Sequence, residues 1–349
     1  MPFSAEGASA STAAGSEREQ PSPSLDWWKQ SLADTLNALI PYGSRCALID
    51  FPAHSNVGDS AIWLGERAYL RARGVTVAYT CDLHNYSRAL LDRRLGSGTI
   101  LIHGGGNFGD LYPHHHRLRL RVLRDFRHRR IIQLPQTVFF RGYSALDETR
   151  HDLEDVDDFV MIARDRESAD RFVHDFGRPC HLAPDMALFL GRHVPSRMPS
   201  VDVLWLARTD AESLATAQDR LPNARAADWL EDELSVRIVT TLLASARRRT
   251  HRIARVEQAL YDALARARLR RGYRLLGQGR VVVTERLHGH ILCLLSGTPH
   301  VLIDNNYGKN STFFNTWTRG WPGVRFATSM KEASDAAAAL LEESGGRRP

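Results

Sequence analysis

The chain has 349 residues, 43% of them hydrophobic, which is apolar material for two ordinary domains and argues against a largely disordered protein. No stretch approaches the roughly 18 uninterrupted apolar residues that a membrane-spanning helix needs, so a soluble protein is expected. The net charge of +6 is uneven: residues 247–274 hold ten arginines against Glu257 and Asp262, while an acidic run, LDETRHDLEDVDDF, lies in the first half, so an anionic partner is expected at the second half or at the cleft beside it.

Residues 1–24, rich in Ser, Ala, Gly and Pro, have almost nothing to bury and read as a disordered tail without the apolar core of a secretory signal. LDWWKQSLADTLNALI then has helical spacing and stops at Pro41. Short apolar runs alternate with longer amphipathic ones: RCALIDFP, a helix from Asp59 to Arg73, VTVAYT, a helix near Leu90, GTILIHG, a helix from His114 to Arg127, RIIQLPQ, DDFVMIARD and a helix from Glu167 to Phe176. Continuous apolar strands separated by helices predict a parallel sheet covered on both faces, a Rossmann-like domain over residues 25–190.

GRHVPSRMPS, residues 191–200, lacks periodicity and reads as a linker. A second alternation over 201–349 predicts a second Rossmann-like domain: VDVLWLARTD, an Arg-rich helical region from about Leu234 to Tyr273, GRVVVTE, a helix from Leu287 to Leu295 closed by Gly297, PHVLIDN, and a helix from Lys331 to Glu343. Two such α/β domains, each a doubly wound sheet, would face a cleft and hold their ligand at the carboxyl ends of the strands. Cys46, Cys81, Cys180 and Cys293 lie far apart with no CxxC pair, and reduced thiols in the cytoplasm are expected.

Several loops carry chemistry. Asp59, in HSNVGDSAIWLGE, follows the first strand; it either caps the next helix or faces a ligand. Gly104, Gly105 and Gly106 directly follow a strand, where backbone without Cβ can approach a ligand, although the spacing is neither GxGxxG nor GxxxxGK[ST]. His114, His115 and His116 point in different directions on a helix and favour a solvated basic face over a metal site. Arg164 and Arg166 end a strand, where surface ion pairing competes with a role in the cleft.

The sharpest signal is VVVTERLHGHIL. Leu287, Ile291, Leu294 and Leu295 predict a helix burying one side, with Arg286 and His288 flanking its first turn. Arginine, histidine and unpaired helix N–H groups together suit a small, highly charged anion that also needs proton transfer. Asp304, Asn305, Tyr307 and Lys309 end the next strand on the same rim.

These stretches together, NVGDSA, HGGGNFGDLY, LPQTVFF, ARDRES, APDMALF, TERLHGHILCLLSGTP and DNNYGKN, resemble the polysaccharide pyruvyl transferase family over roughly residues 45–320. The resemblance implies a GT-B-like fold and metal-free transfer of pyruvate from phosphoenolpyruvate to hydroxyls of a sugar in an exopolysaccharide or cell-surface glycan precursor, with no cofactor. It implies Arg286 and His288 as donor-binding and catalytic positions and Arg164 as a second donor clamp. The donor's carboxylate and phosphate ask for two cationic clamps and backbone donors, which Lys309, the helix start at Leu287, the glycines and Asn107 would complete. His288 is expected to move the proton, with Asp59 or Glu285 as base for the sugar hydroxyl.

Two other classes compete: a GT-B glycosyltransferase using a sugar nucleotide, and a nucleic-acid-binding module built on the Arg-rich helices, which lacks interleaved aromatics. No nucleic-acid partner is expected. If the acceptor is lipid-linked, the arginines of 247–274 would give peripheral contact with the inner membrane surface; a solvated face is the alternative.

Overall fold

The computed structural model describes residues 24–195, 198–208, 224–232, 234–247, 254–304 and 308–345. The expected tail over 1–24 therefore lies outside the described residues apart from Ser24, which caps the first helix, as do Asn305, Tyr307 and residues 248–253 of the Arg-rich stretch.

In chain order the elements are α1 (Leu25–Leu39), β1 (Arg45–Ile49), α2 (Val57–Ala72), β2 (Thr76–Thr80), α3 (Arg88–Leu95), β3 (Thr99–Ile102), β4 (Gly105–Phe108), α4 (Pro113–Asp125), β5 (Arg130–Val138), α5 (Tyr143–Glu154), β6 (Asp158–Ala163), α6 (Arg166–Phe176) and β7 (Cys180–Leu182). There follow β8 (Val201–Leu206), β9 (Ala224–Ala227), α7 (Leu234–Arg247), α8 (Ala254–Leu276), β10 (Gly279–Thr284), α9 (Leu287–Ser296), β11 (His300–Ile303), α10 (Lys309–Phe313), β12 (Val324–Ala327) and α11 (Met330–Gly345). The first sheet runs β2-β1-β3-β5-β6-β7 with β4 on β5, the second β12-β11-β10-β8-β9, and every pairing is parallel.

Strands such as Cys46–Ile49 and Val281–Thr284 are buried residue after residue, as sheets covered on both faces require. One core cluster lies within the first sheet's outer layer and another within the second's. The largest joins the two sheets: Trp63 and Leu64 of α2 share it with Leu204, Val282 and Leu292. Residues from the chain's ends meet there too, where Trp28 of α1 stacks on Trp321 with ring centroids 4.6 Å apart. The 191–200 stretch packs on the second half, with His193 donating its backbone N–H to Leu295 O (2.8 Å) and its ring stacked on Tyr273.

Several expectations need correction. Helix α2 is capped by Asn56, whose side-chain oxygen accepts from Gly58 N, so Asp59 lies in the first turn and is not the cap. The acidic run spans the later part of α5 and the turn into β6, and two of its carboxylates, Glu148 and Asp152, pair with Arg124. Helix α9 is buried on every side apart from Ser296, where its apolar spacing predicted one buried face, because it sits between the sheets. In α8, Arg268 and Arg271 are neither solvated nor free for a membrane. Both pair with Asp232 and donate to backbone carbonyls of the β1–α2 loop, at Pro52 and Ser55. Among the described residues of α8, Arg266, Arg270 and Arg274 are exposed and spaced one turn apart.

Helix α9 and strand β11 share a buried imidazole pair. His300 Nδ1 donates to Thr298 O, which leaves Nε2 to accept from His290 Nδ1 at 2.7 Å, and His290 Nε2 accepts from Thr318 Oγ1. Burial pushes His300 down to about 4, and burial with the neighbouring ring pushes His290 well below its ordinary 6.5. Below pH 6.5 the unfolded chain binds protons that the folded pair refuses, so stability should fall as pH drops from 6.5 towards 4. The slope is about 1.4 kcal/mol per pH unit for each fully refused proton, approached as pH falls below 6.5. Urea titrations at pH 7 and 5.5 check this; equal midpoints would mean that the pair takes up protons while folded.

Candidate functional site

A cavity of ≈ 410 Å³ opens where carboxyl ends of strands from both sheets meet, the place at which open α/β sheets bind ligands. The first sheet contributes Asn56 and Asp59 from the start of α2 and Gly106 and Asn107 from β4; the second contributes Arg286, Leu287 and His288 from the start of α9, and Lys309 from the start of α10.

Thr284 ends β10 and its Oγ1 accepts from Arg286 N (3.0 Å), turning the chain so that Arg286 caps α9 and His288 sits in its first turn. The His288 side chain packs directly against Gly58 of α2: a Cβ there would lie 2.5 Å from Nδ1, so only glycine leaves room. The other ring nitrogen, Nε2, is buried without a hydrogen bond and stands 3.4 Å from Asp185 Oδ2.

Asp185 joins the two halves of the site. Fully buried after β7, it accepts from Ala187 N with Oδ1 and from Arg164 Nη1 with Oδ2 at 2.7 Å. Burial opposes its charge, but His288 and Arg164 outweigh that and hold the carboxyl well below the usual carboxylate range. Arg164, fully buried, also donates from Nε to Thr137 Oγ1 (2.8 Å), while its Nη2 has no partner. Nη2 and Lys309 Nζ converge on Gly106: a Cβ there would lie 3.0 Å from the first and 2.4 Å from the second. Two cations thus converge on one corner of a cavity that an imidazole also lines, suited to an anion that must also exchange a proton.

Arg286 is held differently. Its Nη2 donates to both oxygens of Asp228 (2.8 and 2.9 Å) and the guanidinium lies 5.9 Å from the Trp229 ring centre. Asp59 accepts from Asn56 Nδ2 (2.9 Å) and is 3.5 Å from His54 Nε2. Burial opposes its ionisation, but His54, His288, His103 and Lys309 hold its pKa below the ordinary value, so it is a carboxylate near neutral pH.

Glu285 is placed apart. It is fully buried, does not line the cavity, and its backbone oxygen accepts from Asn310 Nδ2. The three glycines also separate. They are strand more than loop; Gly104 N donates to Glu66 Oε1 (2.9 Å) and its Cβ would strike Pro135 O, while Gly105 takes a φ of +121°. Only Gly106 reaches the cavity wall. Beside it, Asn107 Oδ1 accepts from Arg119 and Gln136, leaving its NH₂ for the cavity.

The histidine run is not a solvated face. His115 lines the cavity with Nδ1 2.9 Å from both oxygens of Asp50, and buried His116 pairs with Thr149; only His114 is exposed. Among the described residues no group of three or more His, Cys, Asp or Glu side chains is placed to hold a metal ion. Of the two arginines after β6, Arg164 enters the site and Arg166 is exposed.

Sequence reasoning missed Asp185, Asp228, Thr137 and Glu66. Asp185 had a signal, an Asp opening the apolar run MALFL; Asp228 had none, since its partner is 58 residues away.

A family model described as polysaccharide pyruvyl transferase matches residues 56–307. The chain is 33% identical over 310 residues to Pyruvyl transferase 1 of Schizosaccharomyces pombe, covering 85% of this chain and 76% of that one. It is 30% identical over 306 residues to EpsO of Bacillus subtilis, covering 85% and 92%. A crystal structure of a functionally uncharacterized protein from Klebsiella pneumoniae shares the fold with a TM-score of 0.59 at 20% identity, covering 86% of this chain and 99% of that one.

Proposed function

This chain belongs to the polysaccharide pyruvyl transferase family, and from that premise we propose that the cavity takes phosphoenolpyruvate and moves its pyruvyl unit to two hydroxyls of a sugar, forming a ketal and releasing phosphate. In this reading the two α/β halves, residues 25–190 and 201–349, work as GT-B-like domains facing the cavity. The observation that carries it is the corner at Gly106, where Arg164 Nη2, which has no hydrogen bond, and Lys309 Nζ converge, with the His288 imidazole on the wall of the same cavity.

The donor bears two anionic groups on three carbons. Arg164 and Lys309 take one, Arg286 and the free N–H groups at the start of α9 the other, and Asn107 donates beside them. His288 delivers a proton to the methylene carbon, which leaves the adjacent carbon cationic. A sugar hydroxyl attacks that carbon and gives its proton to Asp59. Glu285 is too deeply buried to serve as that base and supports the turn instead. A second hydroxyl then attacks the same carbon and the C–O bond to phosphate breaks; the phosphate leaves with that hydroxyl's proton. The carboxylate and imidazole side chains are themselves only 23% and 10% exposed, and there charge interactions exceed their worth in water.

The acceptor is a glycan precursor, lipid-linked in this reading. The enzyme would meet it at the inner membrane surface through the outward stripe Arg266, Arg270 and Arg274, each worth about 1 kcal/mol near an anionic leaflet. Among the described residues no helix is long and apolar enough to cross a membrane. Flotation with anionic liposomes that persists at high salt, or its absence at low salt, would remove this contact from the scheme.

The decisive assay is phosphate release from phosphoenolpyruvate with carbohydrate acceptors, in the presence of EDTA. Release is expected to be acceptor-dependent and undiminished. Turnover of a sugar nucleotide with none of phosphoenolpyruvate would move the enzyme to glycosyl transfer.

A further inference from the structure

A groove adjoins the cavity on the side of His54, which stands 3.5 Å from Asp59. His54 and Leu230 line both the cavity and this groove, which has a volume of ≈ 710 Å³ and runs along the first turns of α7. Asp232 is at its base, tied to Arg268 (2.9 Å) and Arg271, which in turn hold the β1–α2 loop. Exposed Glu231 and Arg237 and the hydroxyl of Thr240 also line the groove, beside Ser55 and Thr241.

We propose that this groove binds the second sugar unit of the acceptor, so that the enzyme recognises an oligosaccharide end and not a single sugar. The inference rests on the pyruvyl-transfer reading, because it places the reacting sugar at the shared wall. Adjacency is the first argument: His54, 3.5 Å from Asp59, and Leu230 line both the cavity and the groove, so the unit next to a sugar at Asp59 lies within reach of the groove. Charge is the second. Among the described residues Glu231 and Asp232 balance Arg237 and Arg268, and Arg268 is already occupied by Asp232 and the Pro52 carbonyl, which leaves little to hold a diphosphate. Ala53 and Leu230 are the only described apolar residues on these walls, so a lipid chain would bury little surface against them.

A sugar ring, by contrast, presents hydroxyls that donate and accept at once. Glu231 accepts and Arg237 donates. Thr240 spends its hydrogen on Val236 O at 2.8 Å, which leaves its oxygen as an acceptor. Leu230 offers an apolar edge for the ring's C–H face.

The test is a glycan array of mono- to tetrasaccharides probed with the native protein, with a Glu231→Ala/Arg237→Ala double variant and with Thr240→Trp, which fills the groove. Each protein is also melted with and without phosphoenolpyruvate. Bound glycans are expected to have two or more units and to bind at least about tenfold more tightly than the monosaccharide of the same terminal sugar, a gain of about 1.4 kcal/mol. Both variants should lose that gain while keeping the donor's thermal shift. Monosaccharides bound as tightly as oligomers, variants that bind like the native protein, or no glycan bound at all would each overturn the groove. Glycan binding without any donor shift would instead overturn the donor reading and leave the groove standing.

Discussion

Replacing His288 by alanine is expected to lower turnover by about 10²- to 10⁴-fold, the range of a lost general acid, while donor binding stays close to native. The expectation follows from position. His288 Nε2 is buried beside Asp185 and without a hydrogen bond, and the residue lines the cavity into which Lys309 also reaches, so it is placed to give a proton without being the principal anchor for charge. Arg286→Ala should behave in the opposite sense, raising the donor KM more than it lowers kcat, because guanidinium pairing serves ground state and transition state alike. The two variants are compared by steady-state phosphate release and by calorimetric titration with phosphoenolpyruvate. A His288→Ala enzyme with near-native kcat would end the assignment.

Asp185→Ala should cost about 3–5 kcal/mol of folding stability, because it strips a fully buried guanidinium of its carboxylate. Arg164 would keep only its bond to Thr137, with Nη1 and Nη2 both unpaired in the interior. The pH dependence has a definite sign. A carboxyl held low in the folded state contributes stability above its unfolded value near 4, and that contribution is lost as pH falls below it. The deficit of the variant should therefore be full at neutral pH and shrink in strong acid. Bound phosphoenolpyruvate should restore part of it, since a donor anion supplies the charge that Arg164 has lost. Urea unfolding at pH 7 with and without the donor reads both effects; a loss under about 1 kcal/mol would mean that water or another group reaches Arg164.

Much of the fold was legible along the chain. The apolar runs at 45–49, 99–102, 158–163, 201–206 and 279–284 are the buried strands they read as, since a strand covered on both faces needs no alternation. Short elements were not: β4 hides in the glycine run, β7 has three residues, β9 is ARAA, and each owes its existence to the neighbour it pairs with.

For the site, local sequence determined what local sequence can. A cation, an imidazole and free N–H groups at the start of α9 lie within three residues, and their convergence is a property of helix geometry, which acts over one turn. What only the tertiary structure decided is every relation across the chain. Arg164 and His288 share Asp185, Gly58 gives way to a ring 230 positions later, and Arg268 and Arg271, which composition marks as surface charge, turn inward to a half-buried Asp232. The physical reason is one of range. Propensity and capping act between residues a turn apart, whereas desolvation makes a buried charge wait for a partner that packing alone brings, and the energy of that meeting is written at neither position by itself.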